Sequence, residues 1–100
     1  MFHFERSAIV KNPADMPAAV QAATQVTSYV NRQHSLNMRF GVELFGAARV
    51  HWYFDAESLD KLNQLNTTLL QDREYFEILN KARALWTDGG LKDTIISLAP

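Results

Sequence analysis

Apolar and polar residues alternate from Phe2 to Val10, which predicts a β-strand. Phe2, Phe4, Ala8 and Val10 share one face, and His3, Glu5, Ser7 and Ile9 the other, with Arg6 interrupting the apolar side. Asn12-Pro13 then offers a helix cap and a proline at the first helical position, with Asp15 as a rival cap. The period changes to a helical one: Met16, Ala19, Val20, Ala23, Val26 and Val30 form one stripe, and the helix is expected to end near His34. Alternation returns over Asn37 to Phe45. Here Met38, Phe40, Val42 and Leu44 oppose Arg39, Gly41, Glu43 and Phe45. Gly46-Ala47-Ala48 is a short turn, and Arg49 to Phe54 is the returning strand, with Val50, Trp52 and Phe54 opposite Arg49, His51 and Tyr53.

Ser58 caps a second predicted helix with a stripe of Leu59, Leu62, Leu65 and Leu69. Arg73 would fall on that stripe, so a break is expected at Gln71-Asp72-Arg73, followed by a new stripe from Tyr75 through Leu79 and Ala82 to Trp86. Asp88-Gly89-Gly90 stops it. Lys92 to Leu98 is a last short strand, with Thr94, Ile96 and Leu98 opposite Asp93, Ile95 and Ser97. The order is β-α-β-β-α-β, the split β-α-β arrangement of an α+β, ferredoxin-like fold with an antiparallel four-stranded sheet and its helices on one face. The expected helix-facing set is Phe2, Phe4, Met38, Phe40, Val42, Leu44, Val50, Trp52, Phe54, Ile96 and Leu98. The other face would carry His3, Glu5, Ser7, Ile9, Arg39, Glu43, Phe45, Arg49, His51, Tyr53, Ile95 and Ser97. That mixture of apolar and charged groups points to burial against a second copy of the chain.

With 100 residues, residues 1–100 are expected to form a single domain with one modest core. The absence of cysteine excludes disulfides and thiolate chemistry and fits a reducing compartment. A formal net charge of −1 and no basic run give nucleic acid no electrostatic footprint. No signal-peptide pattern and no apolar stretch of membrane-spanning length occur, so a cytoplasmic location without membrane contact is expected.

Several motifs resemble the dimeric α+β barrel superfamily along most of the chain. They are the hairpin strand His51-Trp52-Tyr53-Phe54, the following Asp55-Ala56-Glu57-Ser58-Leu59, the segment Leu70-Gln71-Asp72-Arg73-Glu74-Tyr75 and the glycine-rich approach to the last strand. The Asp-x-x-Tyr break is similar to that of the antibiotic-biosynthesis monooxygenase branch. The resemblance implies a homodimer whose sheets press together. It also implies a cofactor-independent monooxygenase or an isomerase acting on a small apolar or aromatic molecule. The alternative is a non-catalytic ligand-binding or dimeric interaction module. Haem-degrading relatives use an asparagine on the first strand, which this chain lacks.

Among residues that could carry chemistry, His51 titrates near working pH and Tyr53 lies two residues along the same face, a base and a donor for a phenolic or enolic substrate. Arg39, Glu43, His3 and Glu5 would surround the substrate on that face. The competing expectation for the same residues is a network of salt bridges, such as Arg39 with Glu5 or Glu43, with His51 bonded to a glutamate. His3-x-Glu5 with His51 could share a metal, but so short a pair is common by chance, and no metal or other cofactor is expected. His34 is expected to cap its helix, Trp52, Trp86, Tyr29 and Tyr75 to pack, and Asp72 to be a solvated helix charge. A substrate cavity would lie between sheet and helices or inside the barrel, opening near Asp72.

Overall fold

A computed structural model describes residues 1–43 and 45–100. The elements are β1 (Phe2–Ile9), α1 (Met16–His34), β2 (Arg39–Val42), β3 (Arg49–Ala56), α2 (Leu59–Leu70), α3 (Arg73–Lys81) and β4 (Lys92–Ser97). The strands form one antiparallel sheet in the order β2-β3-β1-β4. This is the α+β, ferredoxin-like arrangement that the periodicity predicts, with the second helical region divided in two.

Each boundary has a local cause. Asn12 caps a single 3-10 turn, Pro13–Asp15, by accepting from the Ala14 N–H, and α1 continues from it; Asp15 makes no side-chain cap. Ser35 ends α1 in the left-handed region, φ 53°. Ser58 caps α2 by accepting from the Lys61 N–H. The break falls where Arg73 spoils the leucine stripe: Asp72 starts α3 by accepting from the Tyr75 N–H. The new stripe does not carry a helix as far as Trp86. After Lys81 the chain makes a 3-10 turn over Arg83–Leu85, and Trp86 is extended, bridging to Val10. β2 ends at Val42, short of the predicted Phe45, which is 90% exposed; Leu44 lies outside the described residues.

One face assignment is corrected. The register sets Phe4 opposite Ile95, Arg6 opposite Asp93 and His3 opposite Ile96. Ile95 and Asp93 therefore lie on the helix-facing side, and Ile96 with Thr94 on the open side, the reverse of the expected phase. A short strand with isoleucines at adjacent positions has no alternation of its own to fix its phase, and register with β1 decides it.

The core is concentrated under the first half of α1. Ala19 and Ala23 have no exposed surface and let the helix sit close on Val10 and Val50, with Phe40, Val42, Trp52 and Trp86 packed around them. By contrast, α2, α3 and β4 bury no residue fully. The leucines of α2 face the sheet across a space that stays open. Val50→Ala should therefore destabilise the fold by roughly 1.5–3 kcal/mol in denaturant unfolding. Leu70→Ala, at an exposed α2 position, should change it by under about 0.5 kcal/mol.

Candidate functional site

A cavity of about 800 Å³ lies between the helix-facing side of the sheet and α2–α3. Its floor is Phe4, Arg6, Ala8, Trp52, Phe54 and Ile95. Its roof is the stripe Leu59, Leu62, Leu65 and Leu69 with Tyr75 and Leu79. Val26 and Val30 of α1 and Trp86 close the inner side. The two tryptophans of the chain meet there edge to face, with ring centroids 5.6 Å apart. The size and apolar lining are those of a small-molecule site.

Charge enters the wall chiefly at one place. Arg6, the residue that interrupts the apolar face of β1, is met by Asp93 directly across on β4. Arg6 Nε donates to Asp93 Oδ1 at 2.7 Å, and Arg6 Nη2 donates to Asp93 Oδ2 at 2.8 Å. The hydrogen bonds and charge of Asp93 raise the Arg6 pKa further, against the opposing effect of burial. Burial pushes the nearby Tyr75 hydroxyl up, and the Arg6 guanidinium offsets part of that push. The sequence carried a signal for this pair, because an arginine on an apolar strand face needs a partner. The mistaken phase of β4 placed Asp93 on the opposite side of the sheet and hid it.

The roof is held by Asp72, which is not a solvated charge. Its carboxylate accepts from the Tyr29 hydroxyl at 2.7 and 2.8 Å, from His34 Nε2 at 2.9 Å and from the Tyr75 N–H at 3.1 Å. An ionised carboxylate only accepts, so Nε2 is the protonated ring nitrogen of His34. Tyr29 is buried, and His34 is the last residue of α1, so one side chain ties the end of α1 to the α2–α3 corner. The Tyr29 hydroxyl above all, then the His34 ring and the Tyr75 N–H, hold the Asp72 carboxyl below its usual range while burial opposes them. Burial first, and then Asp72, push the Tyr29 hydroxyl up to about 12.

The six residues expected from the sequence as site residues all stand on the open face of the sheet. None lines the cavity. His51 Nε2 lies 2.7 Å from Glu43 Oε1, and its Nδ1 lies 3.4 Å from Glu5 Oε2. Arg49 reaches the same Glu43 oxygen at 3.4 Å and donates to Ser7 Oγ at 3.3 Å. His3 Nδ1 lies 2.8 Å from Asp55, and its ring is 6.0 Å from that of Tyr53. Arg39 stacks over Tyr53 at 5.3 Å; the cation that pairs with Glu43 is Arg49. His3 thus turns to Asp55 rather than joining Glu5 and His51, and among the described residues no three His, Asp or Glu side chains are placed to share a metal.

Neither a family model nor a curated protein matches the sequence. Solved structures do match its fold. A NIPSNAP family protein of unknown function from Agrobacterium tumefaciens superposes with a TM-score of 0.83 at 20% identity, over 99% of this chain and 88% of that one. An uncharacterised NIPSNAP-like domain protein from Burkholderia xenovorans gives 0.80 at 17% identity, over 99% and 88%. An antibiotic biosynthesis monooxygenase gives 0.73 at 9% identity, over the whole of both chains. NIPSNAP and antibiotic biosynthesis monooxygenase-like proteins thus share this chain's ferredoxin-like α+β fold. At such identities the likeness is one of fold.

The Asp72 cluster sets the pH behaviour. A carboxyl held below its ordinary value stabilises the fold above that value and loses the contribution as pH falls. A hydroxyl held above its ordinary value loses its contribution as pH rises. Asp72→Asn should lower the melting temperature by several degrees at neutral pH. The gap from the unsubstituted protein should close as pH drops below the ordinary carboxyl value of 3.8. It should also narrow as pH climbs from 10.0 toward about 12. Calorimetric melts across pH measure both limbs.

Proposed function

We propose that this protein binds a small, largely apolar molecule in the cavity between the sheet and α2–α3. The observation that carries this reading is the open volume of about 800 Å³ under α2, walled by leucines and by Trp52 and Trp86. So large an apolar space does not stay unfilled without losing packing that the rest of the chain achieves under α1. Oxygenation or isomerisation of the bound molecule, the chemistry implied by the resemblance, calls for a proton-transferring group at the ligand. His51 and Tyr53 face away from the cavity, so the acid–base pair expected from the sequence does not serve such a step there. Both tryptophans of the chain line the cavity, so titration with naphthalene should quench the intrinsic emission saturably. Leu65→Arg, which places a charge on the roof, should weaken that binding at least about tenfold. Unchanged emission in the folded protein would remove the cavity as a site.

A second reading concerns the open face. We propose that His3, Glu5, Arg39, Glu43, His51 and Tyr53 form the contact between two copies of the chain. The support is that most charged groups in this set already have partners, as in His51 with Glu43 and His3 with Asp55, while Ile96 and Tyr53 supply apolar surface beside them. A face whose charges are neutralised internally can be covered at lower desolvation cost than one with free charges. Native mass spectrometry should give twice the chain mass. Glu43→Ala, which strips His51 and Arg49 of their shared carboxylate, should shift the protein toward monomer without altering naphthalene binding. A monomer from the unsubstituted chain would end this reading.

A further inference from the structure

The cavity is mostly apolar, with Asn63, Asn66 and Thr87 and the unpartnered indole N–H of Trp52 among its polar groups, and its floor carries one ion pair. Asp93 takes the Nε–Nη2 edge of the Arg6 guanidinium. The rest of the guanidinium makes no bond to a carboxylate or a carbonyl among the described residues; the Tyr75 hydroxyl is the group that approaches it, and Arg6 and Tyr75 both line the cavity. The Arg6 Cζ lies 5.8 Å from the Phe4 ring centroid, so the pair with Asp93 and the stacking on Phe4 together fix the side chain. Tyr75 reaches the same place from the roof, and burial pushes its hydroxyl up, which keeps it a proton donor at neutral pH. Both oxygens of Asp93, in contrast, are already engaged by Arg6. Arg83, Asp88 and Asp93 are exposed, and the Arg6 side chain is half-buried. On the floor of the cavity, a half-exposed guanidinium and the Tyr75 hydroxyl therefore stand beside a carboxylate that is already engaged, and the Arg6 side chain is fixed in position before any ligand arrives.

We infer that the ligand is a hydrophobic monoanion, an aryl or alkyl carboxylate whose charged head meets the free edge of Arg6 and the Tyr75 hydroxyl. The inference rests on the cavity being a binding site and adds the chemical class of its occupant. The apolar body lies among Trp52, Trp86 and the α2 leucines, and the carboxylate receives charge-assisted bonds from a guanidinium shaped for it. Asp93 plays two parts. It neutralises Arg6 in the empty protein and orients it, and its negative charge limits how tightly a second carboxylate is held.

The test compares 2-naphthoate with its neutral isostere 2-naphthamide by titration calorimetry at neutral pH. The anion should bind at least about tenfold tighter than the amide. Asp93→Asn, which lifts the competing charge while still accepting from Arg6, should raise affinity for naphthoate by a larger factor than for naphthamide. The double variant R6M/D93N, which removes the pair without stranding either charge, should erase the preference while still binding naphthamide. That retained binding also reports that the double variant is folded. Equal binding of the two probes by the unsubstituted protein, or a preference that survives R6M/D93N, would overturn the anion class while leaving the cavity as a site. Failure of both probes to bind would instead overturn the cavity reading itself, and this inference with it.

Discussion

The Asp72 carboxylate is the interaction on which the architecture of the helical layer depends. It collects the Tyr29 hydroxyl and the His34 ring from α1 and the Tyr75 N–H from α3. It therefore fixes both where the second helical region breaks and how the corner between α2 and α3 hangs from α1. Without such a tie, a helix that buries none of its residues would have little reason to stand off the sheet in one position. Packing alone would draw the leucines of α2 down onto Phe4, Trp52 and Phe54. The cavity is thus a consequence of where the helical layer is pinned as much as of what lines it.

The two sides of the sheet divide the labour by residue size and charge. Under α1, Ala19 and Ala23 permit a close approach, and the core is dense around Val10 and Val50. Under α2, leucines and aromatics leave a volume, and the one strong charge in its floor, Arg6, is matched across the strand pair by Asp93. On the open side, charges are paired with their neighbours: His51 between Glu5 and Glu43, Arg49 on Glu43 and Ser7, His3 on Asp55. One face is built around a space and the other around a network.

Much of this was legible in the chain, and the parts that were not share a cause. The strand β3 alternates cleanly and β1 does so apart from Arg6, so the occupants of both faces were readable there, including Trp52 toward the helices and His51 and Tyr53 away from them. Arg73 on a leucine stripe marked the break between α2 and α3. Three features depended on partners distant in sequence. Adjacent isoleucines left β4 without a phase, so Asp93 could not be matched to Arg6. Tyr29, His34 and Asp72 looked like a packing residue, a cap and a solvated charge, because nothing local says that the last turns of one helix and the start of another converge. Trp86 continued a helical stripe, yet its backbone extends to pair with Val10. Local periodicity records which face a side chain takes; it does not record which polar groups on that face will meet.

The most direct test of the central claim, that the sheet–helix cavity is the binding site, is to locate a bound ligand by nuclear Overhauser contacts to methyl-labelled leucine, isoleucine and valine side chains. Contacts from the ligand to Leu62, Leu65, Leu79 and Val26, with the indole signals of Trp52 and Trp86 shifting together, are the predicted result. Contacts confined to Ile9 and Ile96, on the open face, would place the ligand among His51, Tyr53 and Glu43 and contradict the account.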